Sequence, residues 1–438
     1  MTPSLCLPGG LPVVVRPRSG PSILAARLAI RGGSSADPTG QRGAHQLLAG
    51  VMTRGCGQLD ADALADRVEG AGAALRAEAH EDSLVVGLKC ASEDTDQLLP
   101  LLLALARRPH LVEEQVAIER QLNLQTLQRQ REDPFQLAHD QLLGVLYGAG
   151  PYGHDPLGVE GELAPLSSDH LRPLARSLGN QGAVLVLCGS VPPDLGRLLE
   201  RDLEGESWTT GPPPPPLLDA AAPAGGPALV ALEQDTEQLV LMLGFPTIPL
   251  GHPDALALRL LQTHLGMGMS SRLFVVMREE RGLAYDVGVN LPARCGPSPF
   301  VLHLSTSEDR AAEATACLLA EWQRLLEQPL GSAELELARA KYLGQDALGR
   351  QTCGQIAERL SLVLSHGLEA DHVEHCLARA RDLEADELLA AARRWLVHPR
   401  LSLVGPKQAL QQATGAWRAA GFSPGAPPVP AQSGGRGS

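Results

Sequence analysis

Two stretches of this chain, about half its length apart, follow the same plan. Residues 169–189 read DHLRPLARSLGNQGAVLVLCG, and residues 386–405 read DELLAAARRWLVHPRLSLVG. Each starts a helix at an aspartate, passes through a short loop and ends in a strand that stops at glycine. The halves also open alike. Residues 23–30 (ILAARLAI) and 239–245 (LVLMLGF) read as strands, each followed by a loop and a helix. A chain that repeats at this distance must bury two equivalent cores, which constrains the fold more than any other feature. Strands arriving in pairs between helices make each copy an α+β domain rather than a parallel α/β one.

Periodicity predicts strands at 13–16, 23–31, 74–79 and 83–90 in the first half. Helices are expected there at 44–54, 60–71, 93–107, 112–131, 133–147 and 168–178. In the second half helices are expected at 253–265, 270–281, 308–327, 332–348, 352–366 and 384–395, with strands at 283–291, 300–305 and 401–404. Between the halves stands ESWTTGPPPPPLLDAAAPAGGP. Consecutive prolines can form neither helix nor central strand, so this reads as a stiff linker. The expected division is a domain at 1–205, a linker at 206–228, a second domain at 229–421 and a disordered Pro/Gly/Ser-rich tail at 422–438.

Composition removes several function classes. The 37 Lys and Arg against 50 Asp and Glu give a formal net charge of −13, the wrong sign for a nucleic-acid or anionic-membrane binder. The longest apolar run, 98–106, is interrupted by Pro100 and is far too short to span a bilayer. The N-terminus lacks the basic and apolar regions of a signal peptide. The 8 cysteines are scattered without a C-x-x-C and sit mostly in apolar surroundings, as expected of free thiols in a cytoplasmic protein.

Several stretches resemble peptidase family M16, the pitrilysin/insulinase zinc metallopeptidases, in its short-chain branch of processing-peptidase-like proteins. They are LPGGLPVVV near the start, GQRGAHQLLAGVMTRG at 40–55, VEGAGAALRAEAHEDS at 68–83 and LGMGMSSRLFVVMREERGLAYDVG at 265–288. The resemblance runs over about residues 7–406. It implies an α+β fold of two homologous LuxS/metallohydrolase-like halves that clasp like a clamshell around a peptide-holding chamber. It also implies metal-assisted peptide hydrolysis at an H-x-x-E-H helix, with two histidines and a later glutamate on zinc and the motif glutamate activating water.

At the motif position this chain reads His45-Gln-Leu-Leu-Ala49. His45 survives, Leu48 stands at the general-base position and Ala49 at the second histidine. The family spacing to the third ligand reaches Thr126, beside Gln125, and neither is a carboxylate. Glu119 lies one helical repeat upstream. One histidine cannot hold a catalytic zinc, and leucine cannot take a proton from water. The expectation is no metal and no cofactor in this chain. The other dense cluster, DHVEH at 371–375, puts His372 and His375 on one helix face and reads as a solvated helix start. His80, Glu81 and Asp82 read as a hairpin turn.

A second family feature is intact. Arg278 and Tyr285 stand in MREERGLAY, with Ser270 as helix N-cap and Gly282 as helix stop. Leu283, Tyr285, Val287 and Val289 are expected to share one face of the following strand. The resemblance implies that Arg278 and Tyr285 reach the reacting carbonyl, the phenol donating a hydrogen bond to the oxyanion and the guanidinium holding backbone or charge. The alternative is structural: Arg278 complementing its helix C-terminus and Tyr285 lying in a core. Gly266 and Gly268 stand in a loop that the family uses near substrate, or form a simple helix-entry turn.

The site is therefore half a site. The resemblance implies a metal-free subunit of a heterodimeric peptidase, paired with a zinc-bearing M16 homologue. It would donate Arg278 and Tyr285 in trans and bind an extended peptide by strand addition. The alternatives are a non-catalytic scaffold or assembly subunit, and a peptide-binding protein that performs no hydrolysis.

Overall fold

A computed structural model describes residues 4–7, 10–179, 181–201 and 228–422. The five-proline linker and the tail beyond Phe422 lie outside the described residues. The first unit gathers the described residues within Met1–Gln130, His154–Leu217 and Ala340–Asp382. The second gathers those within Arg131–Gly153, Leu218–Arg339 and Leu383–Ser438.

The first unit contains β1 (Ser4–Cys6), β2 (Pro12–Pro17), β3 (Ile23–Arg31), two-residue strands β4 (Gly55–Cys56) and β5 (Leu59–Asp60), β6 (Ala74–Ala79), β7 (Ser83–Ala91) and β8 (Ala183–Gly189). Apart from the small β4-β5 pair they form one sheet in the order β1-β2-β8-β3-β7-β6. The second unit contains β9 (Leu229–Glu233), β10 (Gln238–Pro246), β11 (Asp286–Asn290), β12 (Pro299–Ser307) and β13 (Arg400–Gly405). Its sheet order is β11-β12-β10-β13-β9. Read from the other edge, this is β2-β8-β3-β7-β6 over again. The parallel pair recurs too, β2 with β8 in one sheet and β9 with β13 in the other, all other neighbours being antiparallel. The duplication expected from the sequence is thus a duplication of topology, and the α+β class holds in both units.

The units do not follow the contiguous division at 205 and 229. The Pro134–Tyr147 helix of the first half joins the second unit, and the Cys353–Ser365 helix of the second half joins the first. The reason is that central strands such as β8 are buried along their whole length, so each sheet needs cover on both faces. One face of the first sheet carries Leu24, Leu28, Leu84 and Leu88 under helices of its own half. The other face, with Ala25, Ala29, Val85 and Val186, packs on Ala357 and Leu360 of the exchanged helix. In the second sheet Val240, Met242 and Val301 pack on Ala138, Leu142 and Leu146. A 3.6-residue period reports that a helix has an apolar face, not which sheet it covers.

Most expected elements stand where periodicity placed them. Phe422 is a correction: it stacks on Trp417 with ring centroids 4.5 Å apart, so ordered chain extends to the first residue of the expected tail. Strand β9 and the Lys407–Ala419 helix were not expected. Among the described residues no helix is long and apolar enough to cross a membrane.

Candidate functional site

The motif position lies in the Ala44–Met52 helix, whose start is fixed by one carboxylate. Asp37 accepts from the backbone N–H of Gly43 at 2.6 Å and of His45 at 2.9 Å, and meets His45 Nδ1 at 2.8 Å. The loop bearing Asp37 is itself tied to the β6–β7 hairpin. Gly32, Ser34 and Ser35 donate to the carbonyls of Asp82, His80 and Glu81 at 3.0, 3.0 and 2.8 Å. Gly33, at φ 74°, leaves no room for a Cβ against the His80 carbonyl. The His80–Asp82 turn therefore receives this loop through its backbone.

These residues do not fit a zinc ion. His45 is buried at 3% exposure, with Nδ1 held by Asp37. Leu48 and Ala49 are buried at 0% and 1% in the apolar core. Thr126 is exposed on the Glu113–Gln130 helix, its hydroxyl donating to the Leu122 carbonyl at 2.9 Å, and Gln125 beside it is also exposed. Glu119 pairs with Arg54 at 3.2 Å and lies against Gly50, where a Cβ would stand 2.6 Å from the carboxylate carbon. One imidazole nitrogen among leucine and alanine side chains falls short of the three protein ligands that a catalytic zinc takes. The chemistry left to His45 is structural: an imidazole on a carboxylate that also caps its helix.

The 371–375 cluster forms the start of the His372–Asp382 helix. His375 meets Asp371 at 3.7 Å, and His372 Nε2 meets Cys376 Sγ at 3.5 Å. Burial holds the His372 imidazole below its usual value, with His375 adding to the effect.

The second half does bring its two residues together. The Arg278 guanidinium lies 5.0 Å from the Tyr285 ring centroid and 4.8 Å from that of Phe274, so it is held between two aromatic rings. The Tyr285 side chain is 77% exposed, which removes the alternative of a core residue. Phe274, one turn before Arg278, was missed, although its four-residue spacing was a readable signal.

The local backbone differs from expectation in three ways. The helical run begins at Arg272, so Ser271 rather than Ser270 takes the N-cap position, its carbonyl accepting from Val275 N–H at 3.0 Å. Residues Phe274–Glu280 are wound as a π-helix. Strand β11 starts at Asp286, after Tyr285, so Tyr285 does not share a strand face with buried Leu283. Gly282 does stop the helix, at φ 59°. Leu283 N–H reaches back to the Met277 carbonyl at 2.6 Å, one residue further than the usual closure, as wide π turns require. Thr306 of β12 donates to the Leu283 carbonyl at 2.7 Å. Arg272 makes a forked pair with Glu321 at 2.7 and 3.0 Å, anchoring the start of the segment. The pair of aromatic and guanidinium groups thus projects from a turn fixed at both ends.

The two glycines separate. Gly268 has φ 76° with open space around it, as a loop glycine should. Gly266 is instead the last residue of the Ala255–Gly266 helix, where a Cβ would lie 2.5 Å from the Val289 nitrogen. Its smallness lets that helix close on β11, a packing role that the sequence reading did not separate from substrate contact.

With this geometry established, comparison with known proteins places it. Residues 13–158 match the family model described as insulinase (peptidase family M16), and residues 178–342 match the one described as peptidase M16 inactive domain. An uncharacterized zinc protease of Streptomyces coelicolor is 25% identical over 411 residues, covering 91% of this chain and 88% of that protein. A peptidase M16 inactive domain from Pseudomonas fluorescens superposes with TM-score 0.84 at 22% identity, covering 93% of this chain and 98% of the other. A protease from Helicobacter pylori superposes with TM-score 0.83 at 18% identity, covering 93% and 100%. The two matches together cover most of the chain and reach into both repeats of the duplicated topology, and the chain accordingly belongs to peptidase family M16, as a member that keeps the first zinc-ligand histidine and has other residues at the remaining two ligand positions.

Proposed function

We propose that this protein is the non-metal-binding subunit of a two-chain peptidase. It would place Arg278 and Tyr285 against the reacting carbonyl of a peptide held with a zinc-bearing homologue. The observation that carries this reading is the exposed Tyr285 phenol beside a guanidinium held by two rings, in a chain that keeps His45 at one metal position but has alanine and threonine at the other two and leucine at the general-base position. A solvent-facing phenol fixed by a pinned turn can donate one hydrogen bond to an oxyanion without reorganising. Arg278 would add charge-assisted donors to the same oxygen or to the neighbouring backbone. The zinc-protease names of the relatives support the reaction class. The outer edge of β6, unpaired among the described residues, supports an extended peptide as the ligand.

Mixing tests it. This chain, the zinc-bearing homologue of the same organism and their mixture are each given a quenched fluorescent peptide. Hydrolysis that needs both chains supports the reading. Full activity from the homologue alone, unchanged by this chain, contradicts it and leaves a scaffold or peptide holder.

A further inference from the structure

The first sheet carries an unexplained notch on the face covered by the Cys353–Ser365 helix. Its geometry follows from register. Arg27 of β3, Gly87 of β7 and Arg76 of β6 are direct neighbours in one row across the sheet. The next row is Ala25, Lys89 and Ala74. Two arginines thus flank a position with no side chain, and a lysine stands beside it between two alanines. The resulting cavity is about 220 Å³.

Nothing within the fold requires Gly87. Its φ is not positive, and a Cβ there would have no atom within 4 Å. A glycine weakens a strand interior and often marks a place where another group approaches closely. The cations of the notch are also short of partners. Among the described residues Arg76 and Lys89 have no hydrogen-bond or ion-pair partner. Arg27 Nε is buried without an acceptor, and its nearest carboxylate, Glu358, is 3.9 Å from Nη1 and largely exposed. The remaining carboxylate, Glu78, lies 3.8 Å from His80. Gly354, in the first turn of the exchanged helix, leaves room for Lys89, whose Nζ would lie 2.9 Å from a Cβ there. Charges on an edge strand discourage unwanted pairing, which would account for Arg76. That leaves the empty glycine position and Lys89 on the inner strand unexplained.

We propose that this notch binds the carboxylate of an acidic side chain on an extended peptide paired with the free edge of β6. The inference rests on the peptide-holding part of the proposed function and adds the substrate class. Strands pair about 4.8 Å apart, and alternate side chains share a face. A glutamate in the row of Ala74 crosses only a methyl group to reach the Lys89 ammonium, with the Arg76 guanidinium beside it. An amide in the same place meets the same donors without the charge.

Two fluorescein-labelled twelve-residue peptides test this by anisotropy. Both are amidated at the C-terminus, and they differ only in carrying Glu or Gln at alternate positions. The Glu peptide should bind about tenfold tighter, a factor within the range of charged hydrogen bonds. The surface double variant Arg76→Gln/Lys89→Gln should bring it down to the Gln peptide, whose affinity stays unchanged. Gly87→Val, which fills the notch without altering charge, should do the same. Equal binding of both peptides overturns the notch and leaves peptide holding intact. So does a Glu preference that survives the double variant. Binding of neither peptide overturns both.

Discussion

At the residue scale, His45 shows how a motif residue can persist without its chemistry. It shares Asp37 with the helix start, so it holds structure where relatives would hold metal. His45→Ala should cost about 1–3 kcal/mol in urea denaturation, because it takes one hydrogen-bond partner from a buried carboxylate that keeps its two backbone donors. The protein as purified should contain no stoichiometric zinc by elemental analysis. Leu48→Glu should not restore activity. It places a charge at a fully buried position, and a large loss of stability is its expected readout. His303 supplies a pH signature. Burial lowers its pKa, against a smaller opposing effect of Asp286 3.8 Å away. The unfolded chain then binds a proton at a higher pH than the folded one, so stability should be full above about pH 6.5 and fall as pH drops below it. His303→Gln should flatten that slope in denaturation curves taken between pH 5 and 8.

At the scale of elements, the legibility of the sequence divides cleanly. Strands such as β3 and β6, and helices such as Ser332–Leu348, were readable because apolar periodicity is local. Exchange of the Pro134–Tyr147 and Cys353–Ser365 helices was not, because it depends on which exposed sheet face each helix can reach. The π-winding of Phe274–Glu280 carries no composition signal. The pairing of Arg278 with Tyr285 was legible through Gly282, which forces the chain to turn back, whereas the strand placement of Tyr285 failed because β11 begins at Asp286, three residues after the expected start. Gly266 and Gly268 look alike in sequence and differ in structure. Gly266→Ala should cost about 1–3 kcal/mol by overpacking against Val289, measured by urea denaturation. If Gly266 served substrate alone, that variant would keep full stability and lose only peptide affinity.

At the scale of the whole molecule, the duplicated topology lets the two units diverge. The first keeps the sheet, the helix and the first histidine of the family's metal site but has alanine and threonine at the other two ligand positions. The second keeps an exposed phenol and guanidinium in a pinned turn. In the proposed function these two groups act on a peptide whose hydrolysis another chain's metal drives. The most direct measurement is kcat of the two-chain mixture with Tyr285→Phe, a variant that removes one hydroxyl from a side chain 77% exposed and leaves the ring under Arg278. A phenol that stabilises the oxyanion predicts a fall of about 10²–10³ with the chains still associated. An unchanged kcat would contradict it.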